Sequence, residues 1–95
     1  MNKYEMLYIL NTEATDEVKE SIIARFETLV KENGGEVESI DKWGVRKLAY
    51  AINYKQEGYY VLMTFACDPS LIKELDRVAG INENVLRRLI TKRNA

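Results

Sequence analysis

The 95-residue sequence contains no histidine, one cysteine, one proline and one tryptophan, and each scarcity removes a class of chemistry from consideration. Without histidine the commonest general base and metal ligand is missing. Cys67 stands alone, with neither a disulfide partner nor the cysteine and histidine neighbours of a zinc site, so its plainest reading is a small buried hydrophobe. No metal, cofactor or small-molecule substrate is expected. No run of about 20 apolar residues is available to cross a bilayer. The opening MNKYEMLYILNTEA lacks the pattern of a cleaved leader, so a cytoplasmic location without membrane contact is expected. Linkers, repeats and low-complexity stretches are also lacking. With 46% hydrophobic residues, positions 1–95 are expected to form one domain around one core.

What is present is charge, unevenly distributed. The formal net charge of -1 conceals ten carboxylates against four cations in residues 1–41. Residues 42–58 carry Lys42, Arg46, Lys47 and Lys55 against Glu57 alone, and residues 85–95 carry Arg87, Arg88, Lys92 and Arg93 with no acid. A weakly acidic whole argues against indiscriminate nucleic-acid binding, while two local basic stretches leave a confined basic site open.

Hydrophobic periodicity gives the order strand, helix, strand, strand, helix, strand. NKYEMLYIL alternates with Tyr4, Met6, Tyr8 and Leu10 on one face. Thr15 is placed to cap a helix whose apolar stripe is Val18, Ile22, Phe26, Leu29 and Val30, and Gly34 to end it. In the second strand the parity breaks between Val37, Trp43 and Val45 and the later Leu48, Tyr50 and Ile52, which calls for a bulge at Gly44. NYKQEG reads as a polar turn into YYVLMTFAC. Asp68 and Pro69 then open a second helix that Gly80 should end, and NVLRRLITKR forms the last strand. Two strand-helix-strand units with right-handed crossovers make an α+β, ferredoxin-like βαββαβ fold: a four-stranded antiparallel sheet with both helices on one face. Strands one and three are then central, so both basic stretches fall on edge strands.

Several readings compete at these edges. Arg46 and Lys47 discourage edge-to-edge pairing with foreign strands, and the same cations can serve a specific partner. Trp43 either packs beside the bulge or enters a partner's pocket. Arg87, Arg88, Lys92 and Arg93 suit phosphate contacts, with Lys3 and Tyr4 on the adjoining strand; Tyr4 also suits a place at the rim of the core. The open-face set Leu7, Ile9, Tyr60, Leu62, Thr64 and Ala66 is too aliphatic for a base-stacking platform and fits a protein partner better. An acylphosphatase-like enzyme would need an arginine and a glycine-rich phosphate loop after strand one, and LNTEATDE has neither. A self-associating regulatory module that binds a small metabolite is the remaining alternative.

YEMLYIL, the block WGVRKLAYAI followed by GYYVLMTF, and the ending NVLRRLITK together resemble the bacterial small-subunit ribosomal protein six family over essentially the whole chain. Ala51 departs from the proline that the family usually has after LAY. The resemblance implies a non-catalytic constituent of the small subunit, binding the central domain of small-subunit ribosomal RNA jointly with small-subunit protein eighteen during platform assembly. On that basis Lys3, Tyr4, Arg87, Arg88, Lys92 and Arg93 are expected to face RNA, and Trp43, Arg46, Lys47, Leu48 and Tyr50 the protein partner.

Overall fold

Period-two alternation in the first nine strand residues sends Tyr4, Met6, Tyr8 and Leu10 to one side, and in the computed structural model all four are buried. The structure describes residues 2–52 and 55–93, the side chains of residues 49–52 and 55 excepted. The elements are β1 (Asn2–Leu10), α1 (Asp16–Glu32), β2 (Glu36–Ile52), β3 (Lys55–Cys67), α2 (Ser70–Ile81) and β4 (Val85–Lys92). They form one antiparallel sheet in the order β2-β3-β1-β4, with β1 and β3 central as the alternation requires. The helices cover a single face, where Ile22, Ile23, Phe26 and Val30 of α1 and Leu71, Leu75, Val78 and Ala79 of α2 meet Met6, Tyr8, Val61, Met63, Phe65 and Cys67.

Local chemistry sets the ends of the elements. The Thr15 hydroxyl accepts the Val18 N–H at 3.2 Å, and Gly34 takes φ +80 after α1. Three boundaries differ from expectation. The polar segment expected as a turn is largely strand, since Lys55 to Gly58 already belong to β3; residues 53 and 54 lie outside the described region. Hydrogen bonding places Pro69 at the cap of α2, yet its φ/ψ of -54/-27 is helical and the Asp68 carboxylate accepts the Ser70 N–H at 3.0 Å. That bond holds the Asp68 carboxyl below its ordinary range. Gly80 does not end α2, which continues to Ile81. A Cβ there would stand 2.9 Å from a guanidinium nitrogen of Arg88, the far end of a flexible side chain.

The β2–β3 hairpin is longer than the sheet it edges. β1 pairs with β3 only from Tyr59 to Cys67, whereas Arg46 and Lys47 of β2 pair with Gly58 and Glu57 beyond that limit. The basic stretch of residues 42–58 therefore lies largely on a two-stranded arm projecting past the four-stranded body.

Candidate nucleic-acid and protein interface

Antiparallel partners share a face, so the register sorts the charges. On β4, Arg88 lies opposite Tyr8 and Lys92 opposite Tyr4, which puts both on the helix side; Arg87 lies opposite Ile9 on the open side. Arg93 donates its backbone N–H to the Lys3 carbonyl at 2.8 Å, and its guanidinium meets Glu5 of the open face. The four C-terminal cations thus divide between the two sides of one edge strand and run along it for roughly 20 Å at the usual rise per residue. An edge strand permits this, since long side chains on either face can turn past its rim into the same solvent.

Carboxylates hold three of the expected RNA-facing cations. Lys3 Nζ lies 3.0 Å from Glu38, Arg93 Nε 3.0 Å from Glu5 and Arg88 Nε 2.9 Å from Asp76 of α2. Lys3 belongs to β1 and Glu38 to β2, so the ammonium reaches across β3 at Ala66, which is buried despite lying on the open face. Lys92 is exposed. Tyr4 belongs to the core: it is 7% exposed and its ring stacks on Phe65 at 5.8 Å. Only its hydroxyl, which accepts from Asn2 Nδ2 at 3.4 Å, is placed for an outside contact.

The other edge is shaped by Gly44. Its φ of +84 and the register shift between Lys42 and Gly44 mark the expected bulge. The inserted residue, Trp43, turns to the open face and lies nearly parallel to Tyr60, with centroids 6.2 Å apart and planes at 9°. The Arg46 guanidinium sits over the indole at 5.2 Å. Trp43 is nevertheless 41% exposed, so the local stack leaves one side of it available. Leu48 is buried where it meets Gly58, and Ile9 closes on the same glycine from β1. Lys47 pairs in register with Glu57 and faces solvent. The side chain of Tyr50 lies outside the described region. On the helix side, Lys42 donates to Glu20 of α1 at 2.7 Å, and this hydrogen bond raises the ammonium pKa above its ordinary value.

Between the edges the open face carries an apolar strip. Trp43, Tyr60, Ile9, Leu7 and Leu89 follow one another across the four strands, and Leu7, Ile9, Tyr60, Leu89 and Arg87 line a shallow cavity of about 180 Å³. Leu89 is 56% exposed and was not among the open-face residues expected from sequence. VLRRLITK does not alternate strictly, so its parity could be fixed only by pairing Leu89 with Leu7. No group of acids and cysteines able to hold a metal occurs among the described residues, and no helix there is long and apolar enough to cross a membrane.

Sheet order, helix placement and the absence of crossover on the open face define a ferredoxin-like α+β protein, one helix-backed antiparallel sheet with its other face uncovered. That fold alone is shared with the C-terminal domain of the MgtC protein from Mycobacterium tuberculosis (TM-score 0.62, 12% identity, covering 98% of this chain and 88% of that one). The sequence is more specific: residues 3–92 match the family described as Ribosomal protein S6, and the chain belongs to that family. It is 49% identical over 92 residues to small ribosomal subunit protein bS6 of Thermoanaerobacter pseudethanolicus, covering 97% of each chain. It is 48% identical over 90 residues to the bS6 of Clostridium acetobutylicum, covering 95% of each. Among solved structures, the crystal structure of 30S ribosomal protein S6 from Thermotoga maritima superposes with a TM-score of 0.92 at 26% identity, covering 97% of this chain and 87% of that one. Family membership makes the chain a structural, non-enzymatic protein of the bacterial small ribosomal subunit, cytoplasmic and ribosome-associated.

Proposed function

We propose that the chain binds the central domain of small-subunit ribosomal RNA jointly with small-subunit protein eighteen during platform assembly, with the two edges of its sheet dividing the work. The β4 edge, with Arg87, Arg88, Lys92 and Arg93 beside Lys3 and the Tyr4 hydroxyl, takes the RNA backbone. The β2 edge, its arm and the adjoining open face take the protein, through Trp43, Arg46, Lys47, Leu48 and Tyr50.

The observation that carries this reading is the separation of the two basic edges by two central strands, with exposed Trp43 and Leu89 on the apolar face between them. A cation row whose neighbouring aromatics, Tyr4 and Tyr8, are buried suits phosphate. An apolar strip rimmed by Arg46 and Arg87 suits a folded protein surface.

The test is binding of the purified protein to a central-domain RNA fragment, with and without protein eighteen, across a salt series. Four to six phosphate contacts give a log–log slope of about -3 to -5. Tight binding only when both proteins are present is the expected result. Absence of binding in both conditions, from a folded sample, would overturn the proposal, and so would an unchanged affinity and slope in the Arg87→Ala, Arg88→Ala double variant.

A further inference from the structure

Three of the five cations assigned to RNA are each matched to one carboxylate from a different position in the fold: Lys3 to Glu38 of β2, Arg93 to Glu5 of β1 and Arg88 to Asp76 of α2. Every member of these pairs is at least a third exposed at its side chain. They are therefore surface pairs that a better acceptor can displace. Arg88 also lies against Gly80, where a Cβ would stand 2.9 Å from the far end of its flexible side chain.

Resting on the RNA reading above, we propose that Glu5, Glu38 and Asp76 set the specificity of the basic edge by holding its cations against indiscriminate polyanions. A cation matched in this way presents a short-range dipole to an approaching phosphate, and its attraction fades within the first few ångströms outside the pair. An arbitrary RNA strand gains little by docking there, since each new phosphate contact costs an existing carboxylate contact. An RNA whose phosphates coincide with several cations at once replaces all three pairs together and recovers the charge-assisted hydrogen bonds. The pairs also hold Arg88 and Arg93 extended over the sheet and α2, so the guanidinium groups are already positioned before RNA arrives. Discrimination thus comes from carboxylates that never touch the RNA, and the weakly acidic whole protein is consistent with this arrangement.

Fluorescence anisotropy with a polyuridine strand, across a salt series, tests the proposal on the intact protein. The variant is Glu5→Gln, Glu38→Gln, Asp76→Asn. The control is Glu17→Gln, Glu32→Gln, Glu57→Gln, which changes net charge equally at positions away from the β4 edge. The expected result is roughly tenfold tighter polyuridine binding by the variant, with a slope steeper by about 2 because three cations become available at about 0.7 each on single strands. The control should show less than a third of that gain. No gain, or an equal gain in the control, overturns the proposal. The readout is independent of the natural RNA. Failure of the wild-type protein to bind the central-domain fragment even with protein eighteen present, alongside a gain on polyuridine, removes the RNA assignment and leaves the carboxylate effect standing. Intact fragment binding with polyuridine unmoved does the reverse.

Discussion

The indole of Trp43 lies flat against the phenol ring of Tyr60, at 6.2 Å between centroids and 9° between planes. The bulge at Gly44 makes this possible, because the extra residue turns the indole onto the open face, beside β3. Trp43→Ala should cost about 0.5–1.5 kcal/mol of folding stability for the aromatic pair, added to the loss of the apolar area that the half-exposed indole covers. Its larger effect should be on affinity for protein eighteen, measured by calorimetry at unchanged RNA contact. Undiminished affinity in a folded variant would remove this surface from the interface.

Gly44 is conformationally required, though not for space. A Cβ there meets nothing within 4 Å, so the cost of Gly44→Ala comes from φ alone. The expected loss is about 1–2 kcal/mol, with Gly44→Asn losing less. Urea unfolding of the two variants should separate them in that order.

Gly58 is the opposite case, a position limited by space. An added Cβ would collide with the Cγ2 of buried Ile9 and press on Leu48. Gly58→Ala should destabilise by about 1–3 kcal/mol, and Ile9→Leu in the same chain, which removes the Cγ2 branch, should restore part of the loss. Additive losses in a double-mutant cycle would show that the two positions do not share the clash. Gly80→Ala should behave differently again. The obstructing group is the mobile end of Arg88, so helix propensity should leave stability between unchanged and about 1 kcal/mol higher.

Tyr8 predicts an alkaline limit. Its ring is fully buried against Phe26, and its hydroxyl has no hydrogen-bond partner among the described residues. Burial first, then the carboxylates of Glu20 and Glu27, raises its pKa far above the ordinary 10.0. The native state therefore keeps the proton that the unfolded chain releases above about pH 10. Stability is fully present below that value and falls as pH rises through and beyond it. Tyr8→Phe should match or exceed the wild type at neutral pH by up to about 1 kcal/mol, with a shallower loss of stability between about pH 10 and 11. Identical alkaline profiles would show that another group sets the limit.

The strands, helices and sheet order were legible because Met6, Tyr8, Val61, Met63 and Phe65 alternate cleanly and α1 carries an unbroken apolar stripe. A bulge was expected at Gly44 and a register shift does fall between Lys42 and Gly44, but the change of parity between Val45 and Leu48 lies beyond it, where a further shift falls between Lys47 and Ile52. The site was legible only in part. A run such as Arg87, Arg88, Lys92 and Arg93 states charge, whereas the face each residue occupies depends on pairing with Tyr4, Tyr8 and Ile9, more than 75 positions away. The matching of Lys3, Arg88 and Arg93 to Glu38, Asp76 and Glu5 is a tertiary property of the same kind. Gly80 was expected to end α2, which runs one residue further to Ile81: a glycine marks the neighbourhood of a helix end and not its last residue.

Because β1 is central, its two neighbours are β3 and β4, and its hydrogen bonds to β4 extend to Lys92. During translation the first strand to be made must therefore wait for the last before the sheet can close. A chain without β4 in place leaves one side of β1 unpaired, an open edge exposed to misassociation. The eight-residue β4 thus joins two events: its pairing closes the edge of β1, and the same residues place the arginines on that edge, so the chain gains its basic rim only when it can hold it in register.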